Sequence, residues 1–187
     1  MAIEEPSHTM IEKSGDFELR AYGPMIVAET LVSGSMGDAS SAGFRLIADY
    51  IFGNNTSRAG GNKKISMTAP VTMEPRSEKI SMTAPVSMEQ TGEQWRMHFV
   101  MPSHYTLDTL PKPNNPAVEL REVPASNYAV IRFSGLVGEK KRAAKTEELM
   151  TWLASKGITP IGQPELARYN PPWTLPFLRR NEVMVAY

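Results

Sequence analysis

The stretch from Phe17 to Gly34 reappears without a gap 101 residues further along, as Val118 to Gly135. Identical pairs are Glu18/Glu119, Leu19/Leu120, Arg20/Arg121, Ala28/Ala129, Ser33/Ser134 and Gly34/Gly135. Each copy reads as two short strands around a turn. Each is followed by a helical pattern, Gly37–Phe52 and Gly138–Ser155, in which Ile47/Leu149, Ala48/Met150, Tyr50/Trp152 and Ile51/Leu153 correspond. Such a chain is expected to form one domain over residues 1–187, built from two pseudo-symmetric β-β-α-β halves at about 10–101 and 117–187. Strands with two helices over a sheet or open barrel place it in the α+β class.

A second repeat is local. Lys64-Ile-Ser-Met-Thr-Ala-Pro-Val-Thr-Met-Glu74 recurs as Lys79-Ile-Ser-Met-Thr-Ala-Pro-Val-Ser-Met-Glu89. In the first copy Ile65, Met67, Ala69, Val71 and Met73 alternate with polar positions, the period of a half-buried strand. Pro70 and Pro85 cannot donate to a ladder and mark an edge or a bulge. Pro75-Arg-Ser-Glu78 reads as the turn of a hairpin joining the two near-identical strands. Trp95–Met101 and Asn181–Tyr187 alternate as further strands, and the proline-rich Pro102–Pro116 reads as a long loop.

Composition removes several kinds of function. The chain has no cysteine, so disulfides, thiolate catalysis and cysteine-ligated metal centres are excluded. Lys plus Arg and Asp plus Glu are both 20, without the basic surplus that nucleic acid or an anionic membrane would require. The opening MAIEEPSHTM lacks the pattern of a signal peptide, and no apolar run reaches the ~18 residues of a spanning helix. A cytoplasmic protein with no nucleic-acid or membrane partner is expected. The motifs of serine hydrolases, zinc proteases, dinucleotide-binding and phosphate-binding loops are missing, and no carboxylate spacing nominates an acid/base pair. No catalytic residue is proposed from the sequence.

Three blocks carry a family resemblance. They are the doubled Lys-Ile-Ser-Met-Thr-Ala-Pro-Val motif, Phe99-Val-Met-Pro-Ser-His-Tyr105 with Thr109-Leu-Pro-Lys-Pro113, and Arg168-Tyr-Asn-Pro-Pro-Trp-Thr-Leu-Pro-Phe-Leu-Arg-Arg-Asn-Glu-Val-Met-Val185. With Glu18-Leu-Arg20 they resemble the SOUL haem-binding family, in its bacterial and plant form, over roughly residues 10–187. The resemblance implies a distorted β-barrel flanked by two helices, with haem or another tetrapyrrole in a hydrophobic groove. It also links the fold to effector-binding domains of transcription regulators. A tetrapyrrole carrier or buffer is the expected function. The alternatives are a small-molecule effector-binding or interaction module without haem, or a weak tetrapyrrole-directed enzyme.

Cofactor-binding candidates follow from that resemblance, and each has a plainer structural reading. Phe44 and Arg45 on the first helix would wall the groove and meet a propionate; the apolar arc there can equally be core, and Arg45–Asp49 an exposed pair. Where animal relatives carry basic residues on this helix, Ser41 and Asp49 stand here. Met67 and Met82 belong to a methionine stripe suited to a flat ligand, or simply to a core. Trp173, Phe177, Arg179 and Arg180 form a stiff, aromatic, cationic segment that reads either as a lip over the macrocycle or as a clasp across the core. His98 and His104 are the axial candidates, and no metal-ligand spacing joins them. His8 lies near the N-terminus.

Overall fold

The computed structural model describes residues 4–76, 94–170 and 173–187. Its elements run β1 (His8–Ser14), β2 (Phe17–Tyr22), β3 (Met25–Ser33), α1 (Met36–Phe52), β4 (Asn55–Thr56), β5 (Val71–Arg76), β6 (Gln94–Val100), β7 (Lys112–Pro113), β8 (Glu119–Val123), β9 (Ser126–Phe133), α2 (Glu139–Ser155), β10 (Ile161–Arg168) and β11 (Asn181–Ala186). Both helices fall where the repeat places them. The strands of each repeat copy do not pair with each other, however. β2 lies antiparallel to β9, and β8 to β3. Pro24 and Pro124 stand in the two short connections and favour an extended residue before them. Gly23 keeps a negative φ, so the connection lacks the left-handed geometry of a tight hairpin and the chain runs on.

Nine strands form one sheet in the order β1-β2-β9-β11-β10-β5-β6-β3-β8. The expected barrel does not form. Among the described residues β1 pairs only with β2 and β8 only with β3, so the two edges stay apart and the sheet is open. β4 and β7 make a separate small ribbon.

The doubled motif divides in an unexpected place. Its second copy, with Met82, lies outside the described residues. In the first copy only Val71–Arg76 is strand; it is flanked by β6 and β10. Pro75 and Arg76, expected in a turn, continue the ladder opposite Trp95 and Gln94. Ile65, Ala69 and Met73 are buried as the alternation predicts, and Met67 and Val71 pack at the margin of the core. The polar positions Thr68 and Thr72 are buried too, Thr72 because its strand is central in the sheet.

One face of the sheet is covered by both helices. Leu19, Met73, Trp95, Met97, Phe99, Ile131, Leu166 and Val183 meet Ile47, Tyr50 and Ile51 of α1 and Leu149 and Leu153 of α2. Ser35 caps α1 by accepting from the Asp38 amide at 3.3 Å. α1 comes closest to the sheet at Gly43, where an added Cβ would stand 2.9 Å from Met97 Sδ and 3.2 Å from Met97 Cβ. Gly43→Val should therefore cost about 1–3 kcal/mol of stability by overpacking, read as a lower urea midpoint. An unchanged midpoint would contradict this close approach.

The opposite face is polar and charged. Arg20, 1% exposed, donates from Nε to Glu18 Oε2 at 2.7 Å and from Nη1 and Nη2 to Glu182 at 2.8 and 2.9 Å. Tyr22 accepts from the same guanidinium at 3.0 Å, and the Tyr169 hydroxyl donates to Glu182 at 2.7 Å. This network ties β2 to β11 across β9, which runs between them.

Candidate functional site

The segment after β10 makes a raised lip on the helix-covered side. Its base is pinned twice: the Tyr169 amide donates to the Arg180 carbonyl at 3.2 Å, and the Arg180 amide to Asn170 Oδ1 at 2.6 Å. Its far end is tied to the β9–α2 turn, where the Gly135 amide donates to the Pro176 carbonyl at 2.9 Å. Trp173 is 81% exposed, Phe177 70% and Leu178 61%, and Leu136 on the adjoining turn is 63% exposed. Single exposed apolar residues are ordinary; several gathered on one pinned lip mark a binding surface.

Two guanidiniums stand at the foot of this lip. Arg168, at the end of β10, donates to Ser40 Oγ of α1 at 3.1 Å and to the Val137 carbonyl at 3.5 Å. Arg179 Nε donates to the Thr174 carbonyl at 2.8 Å. Burial, and then repulsion from Arg179, pushes the Arg168 pKa below the usual arginine range. Phe44 lies one turn along α1 from Ser40, its ring 5.5 Å from that of Phe99. Phe99 is opposite Val71, which is opposite Arg168. Phe44, Arg168, Arg179 and the exposed lip therefore share one side of the molecule.

The other candidates fall elsewhere. Arg45 is exposed on α1 and donates to the Ser41 carbonyl at 3.1 Å, while Asp49 accepts from Asn54 at 2.6 Å. Met67 is half-buried against the core. Arg180 turns to the helix-free side: it pairs with Glu182 and Glu5, each at 2.9 Å, and stacks 3.7 Å over Tyr169. His104 lies in the loop with its ring 4.2 Å from that of Tyr105, and His8 leans on Tyr22 at 5.1 Å. The sequence reading passed over Arg168. Its position as the first residue of the third family block was the available signal.

His98 occupies a cleft on the helix-free face. Its Nε2 is 3.9 Å from Glu165 Oε2, and its Nδ1 has no hydrogen-bond partner. Burial lowers the His98 pKa to about 4. Burial, reinforced by the charge of Glu74, raises the Glu165 carboxyl to about 8. Both groups are thus neutral at pH 7. The two effects on stability have opposite sign. Neutral buried His98 makes stability rise with pH between about 4 and 6.5, because the unfolded imidazole holds the extra proton there. Protonated Glu165 makes stability fall as pH rises from about 4.5 to 8, because the folded carboxyl holds it. Between pH 6.5 and 8 only the glutamate effect remains, on the order of 1–2 kcal/mol. Glu165→Gln should flatten the stability profile in that interval, measured by urea denaturation at pH 6.5, 7.25 and 8. An unaltered slope would count against the raised carboxyl.

A family model for the SOUL heme-binding protein matches residues 3–78 and 74–186. The chain belongs to the SOUL family. The two matched segments overlap at 74–78, immediately ahead of the second copy of the doubled motif. No curated protein matches significantly. Among solved structures, the C-terminal domain of EcmrR superposes with a TM-score of 0.63 at 11% identity, over 91% of this chain and 95% of that one. A hydrolase from Listeria innocua superposes with a TM-score of 0.59 at 10% identity, over 94% and 93%. Identities this low establish a shared fold and nothing about ligands. Among the described residues no helix is long and apolar enough to cross a membrane, and no cluster of three or more His, Asp or Glu could hold a metal.

Proposed function

We propose that this SOUL protein is a reversible tetrapyrrole carrier, and that haem or a related macrocycle lies against the lip formed by Trp173 and Phe177. The observation that carries this reading is the exposed aromatic surface of Trp173 and Phe177, with Arg168 and Arg179 at its foot. A macrocycle with propionates has matching parts: a wide apolar face for the lip and carboxylates for the arginines. Each 100 Å² of apolar macrocycle removed from water contributes roughly 2.5 kcal/mol. A charge-assisted propionate hydrogen bond adds about 1.5–3 kcal/mol. Association and side-chain ordering offset several kcal/mol of this, leaving the moderate affinity that a carrier needs. His98, His8 and His104 all stand away from the lip, so apolar contact and arginine pairing hold the macrocycle without an axial histidine.

Absorbance titration with haem tests the reading. Arg168→Gln combined with Arg179→Gln should weaken binding about 10- to 100-fold, and more steeply at low salt than at high salt. Replacing His8, His98 and His104 together by alanine should change affinity only slightly. A triple-histidine variant that no longer binds haem would overturn the proposed mode.

The same proposal includes an origin by duplication. Read from the centre outward, β10-β11-β9-β2 is matched by β5-β6-β3-β8. That order is the one expected if the halves are related by a two-fold axis, with Arg20 on β2 corresponding to Arg121 on β8.

A further inference from the structure

The helix-free face holds a second site, separate from the lip. Its cleft has a cavity of about 220 Å³ and adjoins one of about 620 Å³, the two sharing Pro6, Met25, Val100 and Val123 as walls. Three carboxylates and two guanidiniums meet on the sheet side of the smaller cavity. Arg121 donates to Glu29 at 3.0 and 2.8 Å, and Arg96 to Glu74 at 2.8 Å. Each arginine is thereby matched to one carboxylate. Glu165 is the odd one, with the uncharged His98 imidazole 3.9 Å away. The remaining wall combines polar Thr72 and Gln163 with apolar and aromatic Met25, Met184, Ile161 and Tyr128, whose ring stands edge-on to Tyr22 at 5.6 Å.

We infer that this cleft binds a small organic monocation, its charge received by Glu165. Among the described residues the charge count leaves room for one positive charge. With Glu165 ionised the cluster carries a surplus of one negative charge, which a proton cancels when the cleft has no ligand. A cation would take the place of that proton. An aromatic wall suits an alkylated ammonium better than a strongly hydrated metal ion, because the ring face attracts the cation without restoring its water shell. The groups facing Glu165 are Glu74 from β5, Arg96 and His98 from β6, Glu29 from β3, Arg121 from β8 and Tyr128 from β9. β11 presents Met184 there, which does not titrate. Among them the Glu165 carboxyl, at about 8, changes charge between pH 6 and 9; burial also raises the Glu74 carboxyl, which Arg96 counters, and His98 is already neutral.

Benzyltrimethylammonium is a suitable probe because its own charge is independent of pH. Isothermal titration of the full chain, in buffers of different ionisation enthalpy, reads affinity and proton release together. Affinity should rise about tenfold per pH unit from 6 to 8 and level off above, with close to one proton released per ligand at pH 7. Glu165→Gln, which mimics the protonated side chain and so preserves the fold, should lose at least tenfold at pH 8 and all the pH dependence. Haem titration of that variant should be unchanged, which keeps this site distinct from the lip. Absence of binding between pH 6 and 9, or binding that is independent of pH and unaffected by Glu165→Gln, would overturn the inference.

Discussion

Arg20→Met should lower the unfolding free energy by about 3–5 kcal/mol, the largest loss expected from any single polar substitution in this sheet. Glu182 has no exposed surface and Glu18 is 4% exposed, so removing the guanidinium takes the shared partner from two buried carboxylates, leaving Glu182 with Arg180 and Tyr169 and Glu18 with Lys13. Burial pushes the Glu182 carboxyl up, but hydrogen bonds and charge from Arg20, with Tyr169 and Arg180, outweigh it and hold the pKa below the usual carboxylate range. Stability from Glu182 is therefore present above the ordinary carboxylate pKa and is lost as pH falls through the depressed value. In the methionine variant the remaining carboxylates gain stability on protonation, so its deficit should shrink as the pH falls. Urea denaturation at pH 7 and pH 4.5 checks both points. A loss under 1 kcal/mol at pH 7 would mean that the network is dispensable.

Trp173→Ala combined with Phe177→Ala should weaken haem binding by two orders of magnitude or more while leaving the fold intact. Each ring can cover on the order of 100 Å² of macrocycle, worth roughly 2.5 kcal/mol. Both side chains are more than two-thirds exposed, so their removal opens no cavity and the urea midpoint should move little. Absorbance titration and denaturation of the same variant separate the two effects. Unchanged affinity would remove the lip from the site.

The internal repeat made much of this legible in advance. Glu18-Leu-Arg20 and Glu119-Leu-Arg121 marked the first strand of each repeat copy, and the matched apolar residues Ile47/Leu149 and Ile51/Leu153 marked both helices. Local alternation could not reveal pairing partners, because β2 on β9 joins residues separated by about the length of the repeat. β1 was missed because His8–Ser14 is an exposed edge strand with no alternation to read. β10 was missed because Gly162 and Pro164 break its pattern and its register shifts between Ile161 and Glu165. Whether an open sheet closes depends on where β1 and β8 end up, which no residue in either strand encodes. His98 was singled out as an axial candidate; Glu165, far away in the chain, makes it part of a cleft instead. Of the lip, Trp173, Phe177 and Arg179 were legible as a stiff aromatic and cationic segment. Arg168 joins them through Ser40 and Val137, contacts that only the folded chain brings together.

The location of the macrocycle is the central claim, and paramagnetic broadening by ferric haem tests it most directly. An amide spectrum of the isotope-labelled protein should lose signals around Ser40 and Phe44, the Gly135–Val137 turn, and 173–179 on adding one equivalent of haem. Signals of Tyr128, Glu165 and the His98 region, beyond the sheet, should persist. Broadening centred on the His98–Glu165 cleft with the lip unaffected would contradict the account.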